Sequence, residues 1–163
     1  MTGHYLMLPW QAGDAPTALA EVARALGDPS VAVGTLVGVL AQRLVRSPCP
    51  TCATERDLTE LELRQVPAEH PLLQSPRTVE SPGCAACAKT GVCGRSALFE
   101  VAPVTETVRR ALAEGAAAAL LRRRIREAGV RSLRWEALLR VAAQQLTVTE
   151  ALRATPADEA GTV

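Results

Sequence analysis

A chain of 163 residues has room for one domain with a real core, or for a small domain with an appendage, and a hydrophobic content of 48% with only 2% aromatic residues means a core of Ala, Val and Leu. The net charge of +1 supplies no general attraction to nucleic acid or to an acidic surface. Of the 18 basic residues 17 are Arg, so any lysine-dependent chemistry falls to Lys89.

In chain order, residues 4–8 are short, apolar and ended by Pro9, which predicts a buried strand. Asp14 with Pro16 just inside predicts a helix to about Leu26. Gly27-Asp28-Pro29-Ser30 interrupts the chain, and a second, mostly buried helix is expected to about Arg46, with Gly34 and Gly38 on one face against a closely packed neighbour. Residues 47–94 differ in character, holding six Pro and all five Cys. Thr59 and Glu62 form a capping box for a short helix within that insertion. Residues 95–104 (RSALFEVAPV) read as a strand bent at Pro103. Helices are then expected at about 105–114, 116–128, 132–145 and 148–154, separated at Gly115 and Gly129, with a second capping box at Thr147 and Glu150. Residues 155–163 are expected to be a disordered tail.

Met1 is followed by Thr2-Gly3-His4 and not by a basic then apolar run, so no signal peptide is expected. The longest nearly uncharged apolar run, residues 31–41, falls far short of the roughly 20 residues of a membrane helix. A soluble chain of the reducing cytoplasm is the expectation, and there paired cysteines favour metal over disulfides.

The stretch GCAACAKT, residues 83–90, nearly spells a phosphate-binding loop and also contains a C-x-x-C knuckle. A phosphate loop needs a buried central strand before it, glycines where the backbone approaches the anion, and a helix starting at the Lys. Residues 78–82 are not a central strand, Ala88 stands where a glycine is required, and Gly91 and Gly94 would break the helix. Metal is the better reading. Cys49-Pro50-Thr51-Cys52 supplies a second knuckle, and the 31 residues between Cys52 and Cys84 suit a four-thiolate site with an excursion between its halves. The expected ligands are Cys49, Cys52, Cys84 and Cys87 around one structural zinc, whose apparent binding energy of roughly 10–16 kcal/mol exceeds what the insertion's few apolar residues could supply. Two metal-free cysteine pairs are the alternative reading. Cys93 is then a spare thiol, His70 a lesser candidate ligand, and Lys89 a cation beside a negative thiolate cluster.

QRLVRSPCPTC (42–52), GCAACAKTGVCGRSALFEVAPV (83–104) and REAGVRSLRWEALLRVAAQQLTVTEAL (126–152) resemble the C-terminal part of the type II secretion and type IV pilus assembly ATPases. The resemblance implies an α/β fold: the last strand and helix of a RecA-like P-loop NTPase core (residues 1–46), a tetracysteine zinc-binding subdomain (47–94), and a strand with a mainly α-helical tail (95–154). It also implies a hexameric motor that drives pilus or pseudopilus assembly through an inner-membrane platform protein, with the chain cytoplasmic and peripheral to that membrane through its partners. The family histidine box reads T-G-H-L-V-x-S-T-L-H-T-N-D-A. Thr2-Gly3-His4 and Asp14-Ala15 keep its register, whereas Leu8, Pro9, Trp10 and Gln11 replace Ser, Thr, Leu and the second His. His4 is therefore a remnant of that box, and its bland reading is a partly buried polar residue on a strand. The family's phosphate loop, acidic box and magnesium-binding motif precede this box, so this chain is expected to lack ATPase activity by itself, with ATP and Mg relevant only where an upstream motor domain is present. Expected partners are other copies of the chain, an upstream ATPase segment and the platform protein. A standalone zinc adaptor, degenerate relative of the motor, is the second reading.

Arg122, Arg123, Arg124 and Arg126 invite a third, nucleic-acid reading. At about 100° per residue they spread over more than half of a helix circumference, and the chain has almost no aromatics to stack on bases. Arg43 lies, by resemblance, near the nucleotide-bearing core, and otherwise serves helix packing or surface pairing. Trp135 is expected in the core.

Overall fold

A computed structural model describes residues 3–157. The polypeptide is mixed α/β: α1 (Ala15–Leu26), α2 (Pro29–Thr35), β1 (Gly38–Pro48), β2 (Thr54–Asp57), α3 (Glu60–Leu63), β3 (Arg77–Glu80), β4 (Val92–Pro103), α4 (Glu106–Ala113), α5 (Ala118–Glu127), α6 (Leu133–Ala142) and α7 (Val148–Ala154). Short 3-10 turns occupy Pro71–Gln74 and Ala85–Cys87. Among the described residues no helix is long and apolar enough to cross a membrane.

The organising element is a long antiparallel ribbon of β1 and β4, paired from Gly38 with Pro103 to Arg46 with Arg95, with a bulge before Pro48 meets Val92. Alternation along the strands turns Val45, Leu98, Glu100 and Ala102 inward. Two apolar clusters line that inner face. One gathers Val45 and Leu98 with Leu133, Leu138 and Val141 of α6, Leu146, Val148 and Ala151. The other gathers Ala102 and Val104 with Leu19 of α1, Val108 and Leu112 of α4, and Leu121 and Ile125 of α5. The second, smaller sheet pairs β2 with β3, from Thr54 with Glu80 to Asp57 with Arg77.

The helix from Asp14 forms as its capping signals require: Asp14 Oδ1 accepts from Thr17 N–H at 2.9 Å, Pro16 lies in the first turn, and Gly27 closes the helix at φ 73°. The four helices after β4 also fall where the sequence places them. Two expectations fail. The second helix stops at Thr35, and residues 38–46 are strand instead, because the Gly-Val-Leu-Ala-Gln-Arg-Leu-Val run finds a ladder in β4 that satisfies its backbone and buries alternate side chains. Gly38 does mark a close approach, since a Cβ there would lie 3.3 Å from the carbonyl oxygen of Ala102, while Gly34 has open space around it. Residues 4–8 form no strand and are exposed, since a strand needs a pairing neighbour and they have none among the described residues.

The insertion contributes more to the shared core than its composition predicts. Leu58, Val66 and Leu72 are buried in the α6 cluster, and the buried Thr78 hydroxyl accepts from Val148 N–H at 3.2 Å. At the far end, Thr155 is buried and its carbonyl takes an N–H of the buried Arg134 at 2.8 Å, so the chain stays docked past the point where a loose tail is expected; residues 158–163 lie outside the described residues.

Candidate metal centre

The ribbon carries the two cysteine knuckles to one place. Beyond the bulge, Cys49 N–H donates to the Gly91 carbonyl at 2.9 Å, tying the end of β1 to the start of β4. The first knuckle then turns on Cys49 O, which accepts from Cys52 N–H at 3.3 Å and Ala53 N–H at 2.9 Å. The second is a 3-10 turn from Ala85 to Cys87, closed by Lys89 N–H to Cys84 O at 2.8 Å, with Ala88 and Lys89 in the left-handed region at φ 50° and 62°. Two glycines are obligatory here. At Gly83 (φ 103°) a Cβ would stand 2.4 Å from Lys89 O, and at Gly91 (φ 71°) 2.1 Å from Ser81 O.

The four Sγ atoms of Cys49, Cys52, Cys84 and Cys87 lie within 4.8 Å of one another and could hold a metal ion. Cys87 Sγ is 3.8 Å from Cys84 Sγ and 4.0 Å from Cys52 Sγ. Tetrahedral zinc with Zn–S of about 2.3 Å requires sulfur separations of roughly 3.8 Å, so this donor set fits that ion. Backbone N–H groups of Cys84 and Gly91, at 3.1 and 3.3 Å, point at Cys87 Sγ and hold its thiol down at about 6. Burial and the adjoining Cys49, Cys84 and Cys87 sulfurs push Cys52 up to about 12. Four thiols this close cannot all ionise unless a cation sits among them, and a bound divalent ion reverses that penalty.

Cys93 lies outside the cluster and is exposed. His70 is not a ligand: it is buried, its Nδ1 accepts from Leu72 N–H at 3.0 Å, its Nε2 lies 3.2 Å from Trp135 O, and its ring meets Trp135 edge to face at 4.6 Å. Trp135 is half-buried against it. The residues before Gly83 do form a strand, β3, but in a two-stranded sheet, and no helix begins at the exposed Lys89. The geometry of residues 83–90 is therefore that of a knuckle.

His4 is exposed, and Arg43 sits on β1, not on a helix, where its guanidinium donates to Ala12 O and Gly13 O, both at 2.8 Å. The arginine run on α5 is engaged within the chain: Arg122 with Asp14 at 2.8 Å, Arg123 and Arg124 with Glu127 at 2.9 Å, and Arg126 with Glu100 at 2.5 Å. Burial would raise the Asp14 carboxyl, but hydrogen bonds from Thr17 and Arg122 outweigh it and hold the group below its ordinary value.

Two buried carboxylates, Glu100 and Glu150, take partners that the sequence does not show. Glu100 accepts from Arg126 and from Ala15 N–H at 3.2 Å, joining β4, α5 and the start of α1. Its inward parity with Leu98 and Ala102 was the available signal. Glu150 was expected to close a capping box; Thr147 Oγ1 does accept its N–H at 3.2 Å, but its carboxylate turns away to Arg46 and Arg153, both at 2.7 Å. This clamp fixes α7 on β1 three residues before the first knuckle begins at Cys49.

The family described as type II/IV secretion system protein matches residues 1–153, and the chain belongs to that family. Among its relatives, the type II secretion system protein HxcR of Pseudomonas aeruginosa is 32% identical over 155 residues, covering 95% of this chain and 29% of that protein. The type IV pilus assembly ATPase PilB of Thermus thermophilus is 30% identical over 155 residues, covering 95% of this chain and 17% of its own length. The type II secretion system protein E of Aeromonas hydrophila is 32% identical over 159 residues, covering 97% and 31%. The chain thus spans less than a third of the length of each of these relatives.

Proposed function

We propose that the chain is a zinc-stabilised C-terminal portion of a secretion or pilus-assembly motor ATPase, acting in subunit packing and in passing force to an inner-membrane platform protein. Family membership together with the four converging thiols carries this reading. Cys49, Cys52, Cys84 and Cys87 hold one structural zinc, which supplies a rigid cross-link and no open coordination position for a reaction. The chain's own residues do the mechanical work. The ribbon links the knuckles at one end to the α1, α4 and α5 cluster at the other, and the Arg46, Glu150 and Arg153 clamp joins α7 to the same strand. A displacement applied to the helices is therefore delivered to the metal module through a closed ladder and a charge-assisted clamp, with little slack between them. Within this reading residues 1–46 belong to the last strand and helix portion of a RecA-like core, His4 is a remnant of the histidine box, and ATP and Mg matter only where an upstream motor domain is present.

Elemental analysis of protein purified without added metal tests the zinc assignment, with about one zinc per chain expected. The mechanical role is tested by building residues 1–153 into the matching region of the Aeromonas hydrophila relative and measuring secretion. Restored secretion, abolished by Cys84→Ser with Cys87→Ser, supports the role. A chimaera that assembles and hydrolyses ATP yet secretes equally well without the thiols refutes it.

A further inference from the structure

A small cleft opens between the second knuckle and the α7 clamp. Its volume is about 180 Å³, room for several waters but below the roughly 300 Å³ at which pockets for drug-sized ligands begin, so it suits an ion or a single functional group. Ser47 of β1, Ser81 just after β3 and Thr149 of α7 line it from three elements. None of their hydroxyls has a hydrogen-bond partner among the described residues, and Ser81 Oγ is buried. A buried hydroxyl left without a partner is uncommon in a folded chain and costs stability until something satisfies it.

The charge around the cleft selects an anion. Arg46 lines it and spends Nε and Nη2 on Glu150, leaving Nη1 without a partner. Glu150 lines it too, but its oxygens already accept from Arg46 N, Nε and Nη2 and from Arg153 Nε and Nη2, so two cations stand against one saturated carboxylate. Arg95 sits directly opposite Arg46 on the ribbon and has no acidic partner among the described residues. Like charges directly opposite each other in a sheet repel, and a bound anion offsets them. Gly91 lines the cleft and donates to Cys87 Sγ, so the negative thiolate centre is close; Lys89 and Arg95, both exposed and unpaired among the described residues, counter that field.

We propose that this cleft binds an oxyanion of the phosphate class, held by the Arg46 guanidinium and the hydroxyls of Ser47, Ser81 and Thr149. Guanidinium N–H groups match phosphate oxygens well, and hydroxyls converging from three elements suit a tetrahedral ion. Bound there, the ion ties β1, α7 and the segment after β3 together beside the metal centre. The proposal is independent of the motor reading.

The test follows the amide and Arg Nε–H chemical shifts of the zinc-loaded chain while inorganic phosphate replaces chloride at constant ionic strength and pH 7. Saturable shifts are expected at Arg46, Ser47, Ser81 and Thr149, with a rise in melting temperature. Ser81→Ala with Thr149→Ala is expected to weaken binding about tenfold or more. In phosphate-free buffer the same variant should melt and hold zinc as the parent does, because the hydroxyls it removes have no partners in the described fold. A second titration with glycerol 3-phosphate separates two sources of the ligand: binding at the same residues identifies an esterified phosphate, exclusion identifies the free ion, and both uphold the site. The absence of shifts at these residues overturns the proposal. So do shifts that never saturate or that the double variant leaves intact, since those report screening of surface arginines.

Discussion

Replacing Glu150 by Gln tests whether the clamp between α7 and β1 stabilises the fold. Glu150 is 4% exposed and accepts Arg46 N–H at 2.9 Å, Arg46 Nε at 3.0 Å and Nη2 at 2.7 Å, and Arg153 Nε at 2.8 Å and Nη2 at 2.7 Å. The hydrogen-bonded Arg153 guanidinium, and after it Arg46, outweigh burial and hold the carboxyl at about 2, against an ordinary 4.5. At about 1.4 kcal/mol per pH unit the displacement has a ceiling of roughly 3 kcal/mol. The Arg46 and Arg153 side chains are 51% and 56% exposed, so water screens the pairs and lets both cations resolvate, and about half of the ceiling is a fair expectation. Glu150→Gln should therefore cost about 1.5 kcal/mol at pH 7, read from urea unfolding of both proteins. Because the folded carboxyl titrates below the unfolded one, its contribution is complete above about pH 4.5 and disappears as pH falls toward about 2. The difference between the two proteins should follow that window, with metal release common to both cancelling. A loss under about 0.5 kcal/mol at pH 7, or a difference that persists undiminished at pH 2, would refute the reasoning.

Cys87→Ser removes the sulfur on which two N–H groups converge. It should abolish stoichiometric zinc and lower the thermal midpoint, with amide exchange rising in β2, β3 and both knuckles while α6 stays protected by its own cluster; unchanged zinc content would contradict the ligand set. Gly91→Ala forces a Cβ to within 2.1 Å of Ser81 O at a positive φ, and a loss of roughly 2 kcal/mol or more should appear in chemical denaturation. Leu138→Ala opens a cavity at a fully buried position facing the ribbon and should cost about 2–5 kcal/mol, measured the same way; a cost below 1 kcal/mol would show that the site collapses freely.

The helices were legible because their signals are local. Asp14 reaches Thr17, Thr59 exchanges hydrogen bonds with Glu62, and Ser132 caps Trp135, each pair three residues apart. The knuckles were legible for the same reason, since each C-x-x-C closes within one turn and the chemistry of thiolates leaves few uses for two such pairs. Residues 38–46 misled because an apolar run of that length suits a buried helix as well as a strand, and the choice rests on partners in β4 that lie 49 to 65 residues further on. Residues 4–8 misled in the opposite sense, having strand composition without a ladder to join.

By itself the sequence determined the family, the capped helices and the four thiols that could share an ion, since each depends on neighbours along the chain or on a spacing that one turn enforces. Tertiary structure alone decided that β1 is a strand, that the Glu150 carboxylate serves Arg46 and Arg153 and does not close the capping box, that His70 braces Trp135 instead of ligating, and that Glu100 is buried against Arg126. Those outcomes follow from backbone groups and charges seeking partners across dozens of residues, and a buried donor, acceptor or carboxylate takes whichever partner the fold brings within about 3 Å.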